Sequence, residues 1–173
     1  MLRSNSVFFV ISVVLALLSA VVYSQHFNNS SSKFQLDSVA RLHRVVDGDT
    51  VWVYSVYGFK EGQRFKVRLA DIDAPERGKE GYEEAKRELI RILHSASCMV
   101  LDVDSPPYDR YDRVVAVVYV PESPGVLLNV NARLAEKGFA RYVDFPGSFH
   151  PENFEYYVNV PPDVRPILDR YCT

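Results

Sequence analysis

The chain lacks the excess of positive charge that binders of polyanions usually carry. Lys and Arg number 20 against 22 Asp and Glu, a formal net charge of −2 over 173 residues. From Phe34 onward Arg3 and Lys33 are lost as well, and the balance becomes slightly more acidic. A broad electropositive face is therefore not announced, and any grip on phosphate has to be local, through individually placed arginines. Cysteine is nearly absent: Cys98 and Cys172 have no metal-ligand spacing. The histidines His26, His43, His94 and His150 have no motif partners, so no zinc-type site or Ser-His-Asp arrangement is visible. Cys98, in Cys98-Met99-Val100-Leu101, reads as a small buried hydrophobe. A disulfide to Cys172 is the alternative if the chain is exported. No internal repeat or low-complexity tract occurs.

What is present is enough for a packed core. An apolar share of 47% with 13% aromatic residues argues against disorder, and the length suits one domain plus appendages. Arg3 precedes an apolar run from Val7 to Val22, broken only by Ser12 and Ser19. That is the pattern of a secretory signal, short for a membrane span, with cleavage expected before Gln25. Uncleaved, residues 1–24 would anchor the protein, and only then would a membrane be a partner. Either way the rest is expected to be secreted or extracellular. Residues 25–37 read as a polar linker, and Asn28 and Asn29 both fit the glycosylation pattern.

Residues 38–145 read as one domain. Val39 to Val46, Thr50 to Tyr57 and Arg64 to Asp73 are β-rich runs with short polar breaks, a meander. Gly81 to Ser97 is helical, with Tyr82, Ala85, Leu89, Ile92, Leu93 and Ala96 on one face. Cys98 to Val103 and Val114 to Val120 predict two more strands, with an exposed loop from Pro106 to Asp112 between them. Leu127 to Lys137 predicts a second helix, stopped by Gly138. This order predicts an α+β, mainly β fold: a five-stranded OB-type Greek-key barrel with two or three packed helices. The tail, residues 146–173, holds Pro146, Pro151, Pro161, Pro162 and Pro166, which exclude a long helix. Phe145, Phe149, Phe154, Tyr156 and Tyr157 are expected to pack it on the domain as irregular structure. At most two helical turns fit, at Val164 to Tyr171.

Two stretches concentrate the chemistry. In Val45-Val46-Asp47-Gly48-Asp49-Thr50 the Asp-Gly pair between apolar runs signals a hairpin, with glycine expected at positive φ. Arg68-Leu69-Ala70-Asp71-Ile72-Asp73-Ala74-Pro75-Glu76 follows. Arg68 and Asp73 would point to opposite faces of an ideal strand, so they converge only if the chain bends before Pro75. With Asp109-Arg110-Tyr111-Asp112-Arg113 further on, three motifs stand in order from about Ala40 to Tyr142, and in this they resemble the thermonuclease (staphylococcal nuclease-like) family.

The resemblance implies the same barrel and a calcium-dependent endonuclease acting on DNA and RNA. It implies calcium held by Asp49, Asp73 and the backbone carbonyl of Ala74, where the family often has threonine. Hard carboxylate oxygens suit that cation. Arg68 and Arg113 match the phosphate clamp, whose planar forks fit phosphate oxygens. Glu76 matches the acid that positions or deprotonates the attacking water. Tyr111 matches a tyrosine that contacts the nucleotide, and Arg110 stands where the family has a lysine. Asp47 reads as a turn residue. Single-stranded substrates and a monomer are expected. The rival reading is a non-catalytic nucleic-acid- or protein-binding module on the same barrel, surface-tethered if the N-terminal segment stays. Loss of Glu76 or of either arginine would have favoured it; all five charged positions are kept.

Overall fold

Strict alternation shapes the first sheet. In β3 (Arg64–Leu69) the apolar Phe65, Val67 and Leu69 are buried while Arg64 and Lys66 are exposed, the two-residue period of a strand with one dry face. β3 pairs antiparallel with β2 (Thr50–Gly58), and β2 with β1 (Ser38–Val45), giving the expected meander. The computed structural model describes residues 34–172. The expected signal or anchor and both glycosylation sites lie outside the described residues.

Two longer strands close the barrel. β4 (Ile72–Asp73) belongs to a small separate ribbon, and β5 (Met99–Tyr108) and β6 (Val114–Ser123) form a hairpin. β5 pairs with β1, and β6 lies parallel to β3 from Val67↔Val114 to Leu69↔Ala116. The circuit β3-β2-β1-β5-β6 thus returns to β3, which is the five-stranded barrel. Its interior holds Val51, Val53, Val67, Leu69, Met99, Leu101 and Val118. Helix α1 (Tyr82–Ser95) adds Leu89, Ile92 and Leu93, the face its periodicity marked.

Three details differ from the sequence expectations. β5 does not stop at Val103 but runs through Pro106 and Pro107 to Tyr108, which pairs with Val114. The irregular register between Val103 and Tyr108 leaves the prolines without a ladder bond to donate, so the strand tolerates them. The exposed loop is only the turn after it. Secondly, Val126–Asn129 is a strand, β7, against β6; helix α2 begins later, at Val130–Glu136. A short apolar run such as Val126-Leu127-Leu128 does not tell strand from helix by periodicity. Asn129 marks the boundary: its side chain accepts the Ala132 N–H at 3.0 Å, an N-cap.

Thirdly, the chain after α2, including the tail, is more regular than expected. β8 (Arg141–Tyr142) pairs with β4, and β9 (Tyr157–Asn159) extends the main sheet beyond β7. Helix α3 (Arg165–Tyr171) falls where two turns were allowed. Val158, Val164 and Leu168 cover Val39, Val100 and Tyr119 on the outer side of the barrel, a second apolar cluster. Cys98 is buried as expected, but it is not a free hydrophobe: it is disulfide-bonded to Cys172, tying α3 to the start of β5. Arg41 reinforces that tie by donating to the carbonyls of Ser97 and Tyr171. Residues 34–37, composed like a linker, dock on β5: Gln35 N–H donates to Asp102 and Val103 N–H to Asp37, each at 2.8 Å.

Candidate active site

The β1–β2 turn holds the first acidic residue. Val46 N–H donates to the Thr50 carbonyl at 2.9 Å, and Asp49 N–H donates to the Asp47 carboxylate at 3.2 Å. Asp47 is thus the turn residue its position suggested. Gly48 is needed for a reason the sequence did not announce. It is absent from the positive-φ positions among the described residues. Instead a Cβ there would lie 2.7 Å from the Ala74 Cβ and 2.8 Å from the Ala85 Cβ, so only glycine lets the turn pass so close to α1.

The bend that Arg68 and Asp73 require occurs at Asp71, whose φ is 51°. Buried Asn131 of α2 fastens it, donating to the Ala70 carbonyl at 2.8 Å and accepting the Val118 N–H at 3.0 Å. One guanidinium nitrogen of Arg68, Nη2, then lies 3.3 Å from Asp49 and 3.6 Å from Asp73. The Phe145 ring lies 5.8 Å from the same guanidinium. Asp49 also accepts the Ala74 N–H at 2.9 Å and the Thr50 hydroxyl at 3.0 Å. Burial pushes its carboxyl up to about 6, against the lowering effect of Arg68 and the Ala74 amide. Arg141 takes the other oxygen of Asp73 at 2.7 Å.

Arg113 immediately precedes β6 and lines the same cleft. Its Nε and Nη2 each lie 2.7 Å from Asp109, and its Nη1 donates to Thr50 at 3.3 Å. Burial alone would raise the Asp109 carboxyl; the amide and guanidinium of Arg113 and the amide of Tyr111 outweigh it and hold it below its ordinary value. The Tyr111 ring has the Arg110 guanidinium at 4.7 Å and that of Arg113 at 5.3 Å. Tyr111 is 63% exposed and lines the cleft.

Asp49, Arg68, Asp73, Ala74, Glu76, Arg110, Tyr111 and Arg113 all line one cleft of about 900 Å³. Glu76 is on its exposed rim, and among the described residues its carboxylate has no ion-pair partner. Sequence reasoning missed Thr50, Asp109, Asn131, Arg141 and Phe145. Asp109, four residues ahead of Arg113, was legible as an orienting partner. Thr50, next to Asp49 in the turn motif, was legible too; Asn131, Arg141 and Phe145 reach the site from far along the chain and carried no local signal.

Whether these residues suit a hard cation can be judged from the donors. Two carboxylates converge on a single guanidinium nitrogen, so a positive charge is already favoured between them. Among the described residues no group of three or more acidic, His or Cys side chains gathers to hold a metal. The set fits a cation held by two carboxylates, with backbone carbonyl and water completing it. Of Ala74, the group seen touching Asp49 is the N–H rather than the carbonyl.

Several nucleases resemble this chain in sequence. The chain is 37% identical over 101 residues to the micrococcal nuclease of Shigella flexneri, 56% of this chain and 53% of that protein. It is 28% identical over 153 residues to the thermonuclease of Staphylococcus intermedius, 86% of this chain and 82% of that protein. An uncharacterized endonuclease of Haemophilus influenzae is 29% identical over 103 residues, 60% of this chain and 51% of that protein. The chain thus spans about half the length of the first and third of these. The staphylococcal nuclease homologue family matches residues 66–159, a span that includes Arg68, Asp73, Glu76 and Arg113. By that match, this chain belongs to the staphylococcal nuclease homologue family.

Proposed function

We propose that the protein is an exported, monomeric, calcium-dependent endonuclease that hydrolyses phosphodiester bonds in DNA and RNA, with single strands preferred. The observation that carries this reading is the shared guanidinium of Arg68, 3.3 Å from Asp49 and 3.6 Å from Asp73, in a cleft that Arg113 also lines. Phosphodiester hydrolysis adds negative charge to the phosphorus oxygens, and catalysis needs cations aimed at them. Arg68 and Arg113 supply planar donors that never lose their charge. Asp49, Asp73 and the Ala74 carbonyl would hold calcium, which when bound contributes positive charge against the phosphate. Glu76, unpaired at the rim, positions or deprotonates the attacking water. Arg110 and Tyr111 hold the nucleotide next to the cleaved bond. The Cys98–Cys172 disulfide supports export, because such bonds persist in oxidising compartments.

Incubation with single-stranded DNA, with calcium and then with excess chelator, tests the reading. Cleavage should stop in chelator, and magnesium should restore less of it, being stricter about octahedral geometry. Undiminished cleavage in chelator would remove the metal assignment.

A further inference from the structure

The bend at Asp71 does not need an aspartate for its backbone. At a φ of 51° glycine is at home and asparagine is tolerated. Aspartate adds a carboxylate, and this one is buried: Asp71 is 3% exposed. Among the described residues no Lys or Arg pairs with it, and its Oδ2 has no hydrogen-bond partner. Burying an ionisable group in this way costs stability, so folding alone gives no reason to keep it. Its other oxygen is used: Oδ1 accepts the Phe145 N–H at 3.1 Å.

That bond fastens the middle of a strap whose ends are tied elsewhere. At its start β8 pairs with β4, and Val143 N–H donates to the Asp71 carbonyl at 3.0 Å. At its end the N–H and hydroxyl of Ser148 donate to Asp104 at 2.6 and 2.7 Å. Gly147 permits that approach, because a Cβ there would strike the same carboxylate. Between these ties Pro146 has no N–H to give, and the Phe145 amide is the donor that holds the chain. Phe145 and Pro146 both line the cleft. The edges of the Arg68 guanidinium are held by oxygens: Nη2 by Asp49 and Asp73, and Nη1 by donating to the Leu69 carbonyl at 2.9 Å. The Phe145 ring, 5.8 Å away, is the group set against it from the strap.

We propose that Asp71 is a positioning residue for the phosphate clamp: its carboxylate latches the strap, and the latched Phe145 ring fixes the plane of the Arg68 guanidinium. The proposal rests on the nuclease reading above for what Arg68 does, while the latch itself stands apart from it.

Single substitutions separate the roles. Asp71→Gly keeps the bend and removes the latch, Asp71→Asn keeps an acceptor oxygen, and Phe145→Ala keeps the amide and removes the ring. Hydrogen exchange of the Phe145 amide should be about tenfold faster in D71G and close to the wild-type rate in D71N. On a single-stranded oligonucleotide with calcium, kcat should fall about tenfold in both D71G and F145A, with KM within about twofold. D71N should recover most of the turnover. The double variant D71G/F145A should lose no more than the worse single, because both changes break one chain of contacts. All variants should melt within about 4 °C of the wild type. Wild-type exchange at Phe145 or wild-type kcat in D71G overturns the proposal, as do additive losses in the double variant. A rise in KM with kcat unchanged overturns it too, since Phe145 would then act on the substrate and not through Arg68. So does a loss of kcat that tracks a collapse in Tm. A wild-type protein that cleaves nothing would remove the nuclease reading and the clamp role with it, and the exchange rates would still decide whether Asp71 holds the strap.

Discussion

Replacing Arg113 by lysine tests the phosphate clamp while keeping the charge. In the structure the Nε–H of Arg113 donates to Asp109 and Nη1 to Thr50. That leaves N–H groups on both terminal nitrogens for a phosphate, in one plane and already oriented. Lysine can keep an ion pair with Asp109, but it cannot hold Asp109, Thr50 and two phosphate oxygens at once. Losing one preorganised donor of this kind costs about 10²–10³ in kcat, equivalent to about 3–4 kcal/mol of transition-state stabilisation. The stability cost is far smaller. Both partners of the ion pair are partly exposed, with side chains 23% and 19% accessible, and such pairs contribute about 1 kcal/mol or less. A domain of this size should then lose about 4 °C or less in Tm. The measurement is kcat on a defined single-stranded oligonucleotide beside a thermal melt of the same preparation. Wild-type turnover would remove Arg113 from the clamp. So would a loss of activity that follows a much larger fall in Tm, because the residue would then act through folding.

Gly48→Ala should destabilise the domain by roughly 1–3 kcal/mol, since the new methyl would overlap both Ala74 and Ala85; an unchanged melt would show that the turn has room to spare. Reducing the Cys98–Cys172 bond, which closes a loop with a sequence separation of 74, should lower stability by about 4 kcal/mol on chain-entropy grounds. A denaturant titration with and without reductant measures it, and coincident curves would rule it out. Asp102 is pushed up to about 7 by burial, with Asp37 and Asp104 adding repulsion against the pull of the Gln35 amide. The native state therefore keeps a proton that the unfolded chain releases near pH 4. Its contribution to stability is complete below about pH 4 and is lost as pH rises through about 7. Asp102→Asn should flatten the stability profile across that window; an unaltered slope between pH 4 and 7 would refute the assignment.

The alternation of β3, the apolar stripe of α1 and the order of the strands made the barrel legible in the sequence. Strand and helix periods are local properties, and burial of one face follows directly from them. The charged motifs were legible for the same reason: Asp49, Arg68, Asp73, Glu76 and Arg113 are each set in a recognisable turn or strand end. Local pattern could not decide what depends on which segments meet. Gly48 looked like a glycine chosen for its dihedral angle, but packing against Ala74 and Ala85 decides it. Cys98 looked like an isolated hydrophobe until α3 brought Cys172 beside it, and β7 became a strand because β6 was there to pair with. Net charge misled most, because a sum over the chain is blind to position. Strands β1, β2 and β3 hold Arg41, Arg44, Arg64, Lys66 and Arg68 and no Asp or Glu, and strand pairing is what sets these cations side by side. The sequence determined the strands and the reactive side chains; the tertiary structure decided which of them share a face, because contact between distant segments is a property of the closed barrel and not of any stretch within it.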